Sequence, residues 1–540
     1  MDKTRIFFIV FLLAELFSPI VAKPINEYKD NRIVIYDNED LNQQTLKLKN
    51  GCVLELRGGT LQNGTIDCEG DITIMGNGNT VNDFPLIKSN GNITISNVVF
   101  VGFKRPGVFI EYSTAHCKKP TIELNNVRFD GNGKIERVLR SYKNKNIVEA
   151  TIIMDNCIFT NVSEYIVQFA SNCTGRITNN IIHDIGNSDK SHVSALWLGL
   201  QDEFLARNMY ICNNSIENIL APYSQINDGR EAHGIIVYGN KNKILNNCIK
   251  NIYSNSNNNG DPGMDTEGIY LKGDNNEIAF NTIIDATGSD SDGAITIKHI
   301  GRISKKNQVH DNVISGKYSN GIVIYTDKSH VFNNHISLSA NSECGIYAFS
   351  GKTISIYDNN IDGMDDTLNH RGFSGGIIVA MCRDIIIKHN VINNVPVLFN
   401  CIQNEGTVNV VDNDMEMTSN CLLGNNTKYT SCVVFQGENR GKVVINGNKI
   451  SGKGIRGSQV IEFFDGSTIK CVQLNNNEIA FSDSPQQETL LTYVIRKAPT
   501  KNIIVTDNRI NLRGNYISSS KCKTFERNVM GMSILKDTDL

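Results

Sequence analysis

The chain has 540 residues, 40% of them hydrophobic and 20% charged, with a formal net charge of -3. That balance excludes wholesale nucleic-acid binding while leaving room for a local basic cleft facing an anionic substrate. The length exceeds one compact core unless the chain is a repeat solenoid, which escapes the size limit.

Residues 1–22 read as a secretory signal, with Lys3 and Arg5, an apolar run from Ile6 to Phe17, and the small Ala22 before Lys23. The run is too short to span a bilayer. Residues 23–540 are expected to form one exported domain, periplasmic or extracellular in a bacterium, with no transmembrane segment. The segment before Asn50 and the tail after Ser518 are expected to cap its ends.

Asparagine followed two residues later by Ile or Val recurs at Asn97, Asn156, Asn180, Asn214, Asn247, Asn281, Asn312, Asn334, Asn359, Asn390, Asn448, Asn477 and Asn508, with looser members at Asn126 and Asn413. The mean period is roughly 29 residues. Between these asparagines lie short β-branched runs such as Gly234-Ile235-Ile236-Val237-Tyr238, with almost no helical periodicity. The pattern predicts an all-β fold, a single right-handed parallel β-helix of about fifteen coils. Asparagine tolerates left-handed corners, and inward asparagines can bond from coil to coil as a ladder. The fourteen cysteines show no metal-knuckle or redox spacing and read as small buried residues of the coils.

The period breaks at Asp184 to Arg230 and at Tyr253 to Asp265, and long loops on a rigid solenoid commonly wall a groove. Trp197, the one tryptophan, can stack a sugar there or pack in the core. Aligning Gly234, Gly268, Ala294, Gly321, Gly345 and Gly376 makes every second following residue apolar, which sets a register. The outward columns then read Ile236, Tyr270, Thr296, Val323, Tyr347 and, beside it, Tyr238, Lys272, Lys298, Tyr325, Phe349. Two lysines stand between two tyrosines, with His299, Arg302, Lys305 and Lys306 as further cations and Asp261, Asp265, Glu267, Asp290 and Asp292 at the strand entrances. Solvated lysines beside shielding tyrosines are the plain alternative. Both signs of charge, aromatic faces and long loops together favour a polysaccharide groove.

Neighbouring ammonium groups about 5 Å apart disfavour each other's charge, so one lysine can serve as a base while the other stays cationic. That pair suits proton abstraction beside a carboxylate, with β-elimination of the glycosidic oxygen from a uronic-acid polymer.

Glu267-Gly268-Ile269-Tyr270-Leu271-Lys272, then Gly293-Ala294-Ile295-Thr296-Ile297-Lys298-His299, then Asn307 through Gly316, resemble the active-site coils of the chondroitinase B and alginate lyase family of parallel β-helix polysaccharide lyases. The resemblance covers about fifty residues. It implies Lys272 as the base, and it puts Lys298 where the family has an arginine, so Lys298 either neutralises the carboxylate or protonates the leaving group. Tyr270, Tyr325 or His299 are alternative acids. The resemblance also implies calcium, held by Asp265 and Glu267, against the alternative that these acids cap turns or pair with Lys272. On the preceding coil Glu231 and His233 align with them, and histidine is a poor ligand for so hard a cation. His233 and Arg230 are candidate substrate contacts, together with Tyr238, Arg302, Tyr325 and Trp197. The expected reaction is lysis of an anionic polysaccharide, with glycosaminoglycans ahead of alginate.

A glycoside hydrolase on the same fold needs a carboxylate pair, which Asp265, Glu267, Asp290 and Asp292 could furnish. The Gly-His-Gly and Arg-Ile-Lys patterns of polygalacturonases are missing, as is the Asp-Pro-His of uronate epimerases. A non-catalytic glycan-binding β-helix would keep the aromatic face without needing paired lysines.

Overall fold

The computed structural model describes residues 31–530 except 113–118, 143–148, 187–189, 191, 202, 222–230, 255–265, 288–292, 299–302, 340–341, 364–374, 396, 418–430, 454–458, 464–465, 483–492, 496–501, 513–523 and 527. The expected signal segment and the site candidates Arg230, Asp265, His299 and Arg302 therefore lie outside the described residues, as do Asp261, Asp290 and Asp292.

The described residues form strands and no helix, hence no helix long and apolar enough to cross a membrane. A coil is built from three strands, for example Glu231–Asn240, Lys243–Leu245 and Cys248–Ser254. Each pairs in parallel with its counterpart one coil on: Thr266–Lys272, Glu277–Ala279 and Thr282–Thr287. The architecture is a right-handed parallel β-helix, as the sequence pattern predicts. Arg32–Ile35 already pairs with Val53 to Leu56, so the stacking is under way from the first described strand.

Alternation places Ile235, Val237, Ile269, Leu271, Ile295, Ile297, Ile322 and Ile324 inside, all fully buried. Each such side chain contributes about 1.5–3 kcal/mol. The small-residue column sets their register. A methyl group at Gly234 would come 2.5 Å from the Gly268 carbonyl oxygen and 2.9 Å from Ile249 on the opposite wall. At Gly321 it would come 2.5 Å from the Gly345 carbonyl oxygen. At both positions glycine alone fits without a shift of the neighbouring backbone.

From Asn180 to Asn508 the ladder is continuous. Each side-chain amide donates to the next coil's Oδ1 at 2.9–3.0 Å, and Asn413 is a full member. Asn97, Asn126 and Asn156 differ from expectation. They occupy left-handed corners, with φ of 53°, 53° and 52°. Cys157 takes the ladder slot beside Asn156, its N–H donating to Asn180 Oδ1 at 2.9 Å. A second ladder, Asn242 to Asn276 to Asn307, runs at 3.0 and 3.1 Å. It sits five residues ahead of Asn247, Asn281 and Asn312, a spacing visible in the sequence. Nine of the cysteines that the sequence places in the coils, Cys52, Cys68, Cys157, Cys173, Cys212, Cys344, Cys382, Cys401 and Cys432, are buried and free.

Candidate functional site

The site face consists of the outward side chains of His192–Leu198, Glu231–Asn240, Thr266–Lys272, Ile295–Ile297, Asn320–Ile324 and Cys344–Phe349. Backbone pairing aligns Trp197, Ile236, Tyr270, Thr296, Val323 and Tyr347 in one column. In the next column Tyr238 pairs with Lys272, after which Lys298 N–H donates to Leu271 C=O at 3.0 Å and Tyr325 N–H to Ile297 C=O at 2.8 Å. This is the register expected from the sequence.

The exposure is not. Lys272 is 1% exposed, and Tyr238, Tyr270, Ile236 and Thr296 around it are buried too, so the lysine does not stand in an open groove. Aromatic rings account for part of that cover. Lys272 Nζ lies 5.3 Å from the Tyr238 ring centre and 5.0 Å from that of Tyr270, and Lys298 Nζ lies 5.7 Å from the same Tyr270 ring. Trp197 packs on Tyr238 at 5.9 Å, and Tyr238 on Tyr270 at 6.0 Å. Ring faces attract an ammonium group, most strongly where water is excluded. Lys298 is only partly buried. The two lysines are thus chemically unequal although they occupy equivalent repeat positions.

The strand bend at Gly234 and Gly268 brings His233 and Glu267 into the same cluster. His233 Nε2 stands 2.9 Å from Glu267 Oε2 with both side chains buried, and the imidazole meets Tyr270 at 5.8 Å. One step outward, His192 Nδ1 lies 3.1 Å from Glu231 Oε2. Burial is the largest effect on the Glu231 carboxyl and pushes it up. The hydrogen bond from His192 and the charges of His233, His192 and Lys298 together outweigh it and hold the group below the usual carboxylate range.

Aromatic contacts extend the face both ways. Upstream, Tyr165 meets Trp197 at 5.7 Å and carries Arg137 over its ring at 5.4 Å, while Lys190 bridges Glu136 and Glu164 at 3.0 and 3.2 Å. Downstream, Tyr325 lies 5.1 Å from Phe349 and 6.4 Å from Tyr347, whose hydroxyl burial pushes up to about 12. The structure therefore gathers Trp197, His233, Tyr238, Glu267, Tyr270, Lys272 and Lys298, with Tyr325 one coil on. Sequence reasoning did not single out Glu231 or Tyr165 as site residues. Carrying the register back one coil pairs Tyr165 with Ser194 and would have found the latter.

Calcium would need oxygen ligands about Glu267. Its carboxylate faces an imidazole, which supplies none, and no group of three or more His, Cys, Asp or Glu arranged to hold a metal occurs among the described residues. Asp265, the second ligand that the resemblance implies, lies outside the described residues, and no step is routed through the ion.

No protein-family model matches the sequence, and no curated protein does. Solved structures similar to the chain include DFA-IIIase from Arthrobacter chlorophenolicus in complex with DFA-III, at TM-score 0.35 and 10% identity over 70% of this chain and 88% of that one. The alginate lyase AlyF-OU02 matches at TM-score 0.34 and 12% identity, over 93% and 89%. A mutant tailspike protein of E. coli bacteriophage HK620 in complex with a pentasaccharide matches at 0.32 and 10%, over 85% and 72%. At TM-scores below 0.5 the likeness carries no argument about this chain.

Proposed function

We propose that the chain is an exported polysaccharide lyase that cuts uronate-containing anionic chains, glycosaminoglycans ahead of alginate, by β-elimination. One observation carries the reading: two lysines in adjacent coils approach the same Tyr270 ring, one of them buried and the other partly open. Burial disfavours the charged form of the Lys272 amine while the two ring faces favour it, and on this reading burial prevails and suits Lys272 to be the base. The more solvated Lys298 suits the cation that pairs with the substrate carboxylate.

In that reaction Lys272 Nζ takes the proton from the carbon next to the uronate carboxylate. The released electron pair forms the ring double bond and expels the glycosidic oxygen, which takes a proton from Tyr270 or His299. Lys298 stabilises the enolate-like charge as it develops. Arg230, His233, Tyr238, Arg302, Tyr325 and Trp197 would then contact neighbouring sugars. Turnover requires the buried amine to be reached, so on this reading the resting site is closed.

Incubation with chondroitin, dermatan, hyaluronan, heparin and alginate should release an unsaturated product that absorbs in the ultraviolet. Saturated fragments would instead indicate hydrolysis by a carboxylate pair. For Lys298, replacement by arginine keeps the cation and adds a fork, so turnover should stay within about tenfold. Lys298→Ala should cost about a hundredfold or more in kcat. Equal rates in all three proteins would remove Lys298 from the mechanism. Because an imidazole faces Glu267, a chelator should leave the rate unchanged; a loss that calcium restores would return Glu267 and Asp265 to the role of ligands.

A further inference from the structure

The corner after Lys272 leads to a second face, made by Lys243–Leu245, Glu277–Ala279, Gln308–His310, His330–Phe332 and Ser355–Tyr357. Where it crosses Lys243, Glu277 and Gln308 it is clamped between the two asparagine ladders, so its side chains stand on rigid backbone. The rings of His310, Phe332 and Tyr357 stack along it at 4.5 and 4.9 Å, with planes within 9° and 2° of parallel. Rings stacked in this way turn edges, not faces, to solvent.

Phe280 breaks the pattern. Its ring stands at 84° to His310 and is 53% exposed. Its backbone is left-handed, φ 58°, at a corner that neighbouring coils fill with Asn246, Asp311, Asn333 and Asp358. A bulky side chain there costs conformational free energy, and with half the ring in water little burial offsets it. On the same strand row lies a hollow of about 480 Å³ lined by Asn275, Glu277, Lys306, Gln308, Lys328 and His330. Its one carboxylate, Glu277, is engaged by Lys243 at 3.0 Å and by His310 Nε2 at 3.4 Å. Lys306 and Lys328, exposed on successive coils, have no ion pair among the described residues.

We propose that this face is a second, non-catalytic binding surface for an anionic polysaccharide. Phe280 stacks a sugar ring, Lys306 and Lys328 meet its carboxylates or sulfates, and Gln308 and Asn275 bond its hydroxyls. The choice of ligand rests on the lyase reading, since the polymer held here is the polymer cut beside Lys272. Holding it at two places on one rod raises its effective concentration at the site.

The test uses the full chain carrying Lys272→Ala, so that polymer persists, and measures binding of chondroitin sulfate, hyaluronan, alginate and uncharged dextran. Lys306→Ala with Lys328→Ala should weaken binding of the charged polymers about tenfold and leave dextran unchanged. Chondroitin sulfate compared with hyaluronan separates sulfate from carboxylate recognition. Phe280→Asn installs the residue that the neighbouring corners use, so it should fold at least as stably while binding polymer more weakly. If both variants bind as the parent does while the wild type releases unsaturated product, this inference falls and the lyase reading stands. If the variants lose binding but the wild type releases no such product, the lyase reading falls and the surface stands.

Discussion

Replacing Lys272 with methionine is expected to lower turnover about a thousandfold while leaving the fold intact. General-base catalysis contributes about 10²–10⁴ in rate, and this side chain is the proposed base. Methionine nearly matches its volume and fits the space against Tyr238 and Tyr270 without an ammonium group, so melting temperature should hold or rise. The wild-type rate should climb with pH, because only the deprotonated amine accepts the proton, and the residual rate of the variant should lack that limb. Lys272→Arg sharpens the test. Arginine keeps the charge and cannot give up its proton, so it should be as inactive as methionine. Initial rates of unsaturated-product release across pH, with melting curves for each protein, decide the matter. A methionine variant with wild-type rate would remove Lys272 from the chemistry.

The register that unites these residues was legible in the sequence because one steric fact enforces it. Only small residues fit the bend at Gly234, Gly268, Ala294, Gly321, Gly345 and Gly376, so aligning them aligns everything after them. Direction followed from alternation, and the outward columns are as expected. Burial did not follow, since alternation says which way Lys272 points and nothing about what lies over it. The register aligned His233 with Glu267, but the side on which the pair lies was hidden for a related reason. The bend interrupts the period of two, and parity counted from Ile235 would turn His233 inward, whereas it lies against Tyr270 on the outer cluster. Asn97, Asn126 and Asn156 show the limit of motif counting. Asparagine serves both a left-handed corner and a buried ladder, and the slots are one residue apart, as Asn156 and Cys157 demonstrate.

Asn281→Ala is expected to cost about 4 kcal/mol of stability or more, far beyond an ordinary polar substitution. The Asn281 amide donates to Ile244 C=O at 2.9 Å, Ala279 C=O at 3.0 Å and Asn312 Oδ1 at 3.0 Å. Its Oδ1 accepts from the N–H and side-chain amide of Asn247 at 3.0 and 2.9 Å. Alanine leaves the buried Asn247 N–H without its acceptor, at about 1–3 kcal/mol, and removes the other side-chain bonds at about 1 kcal/mol each, whereas the Ala279 C=O keeps the Asn246 N–H and Asn312 Oδ1 keeps the backbone N–H of residue 281. Asn333→Ala is the contrast, one coil-corner away in kind: a left-handed position, φ 53°, exposed at the surface. It should cost only about 1–2 kcal/mol from backbone strain. Urea midpoints at constant slope give both values, and similar losses would mean that the ladder contributes no more than the corners do. Because each coil is stabilised chiefly by its neighbours, the Asn281 defect should act locally. Asn281 lies on the coil that carries both Lys272 and Phe280, so the variant should weaken proposed catalysis and proposed polymer binding together, at a temperature where distant coils remain folded.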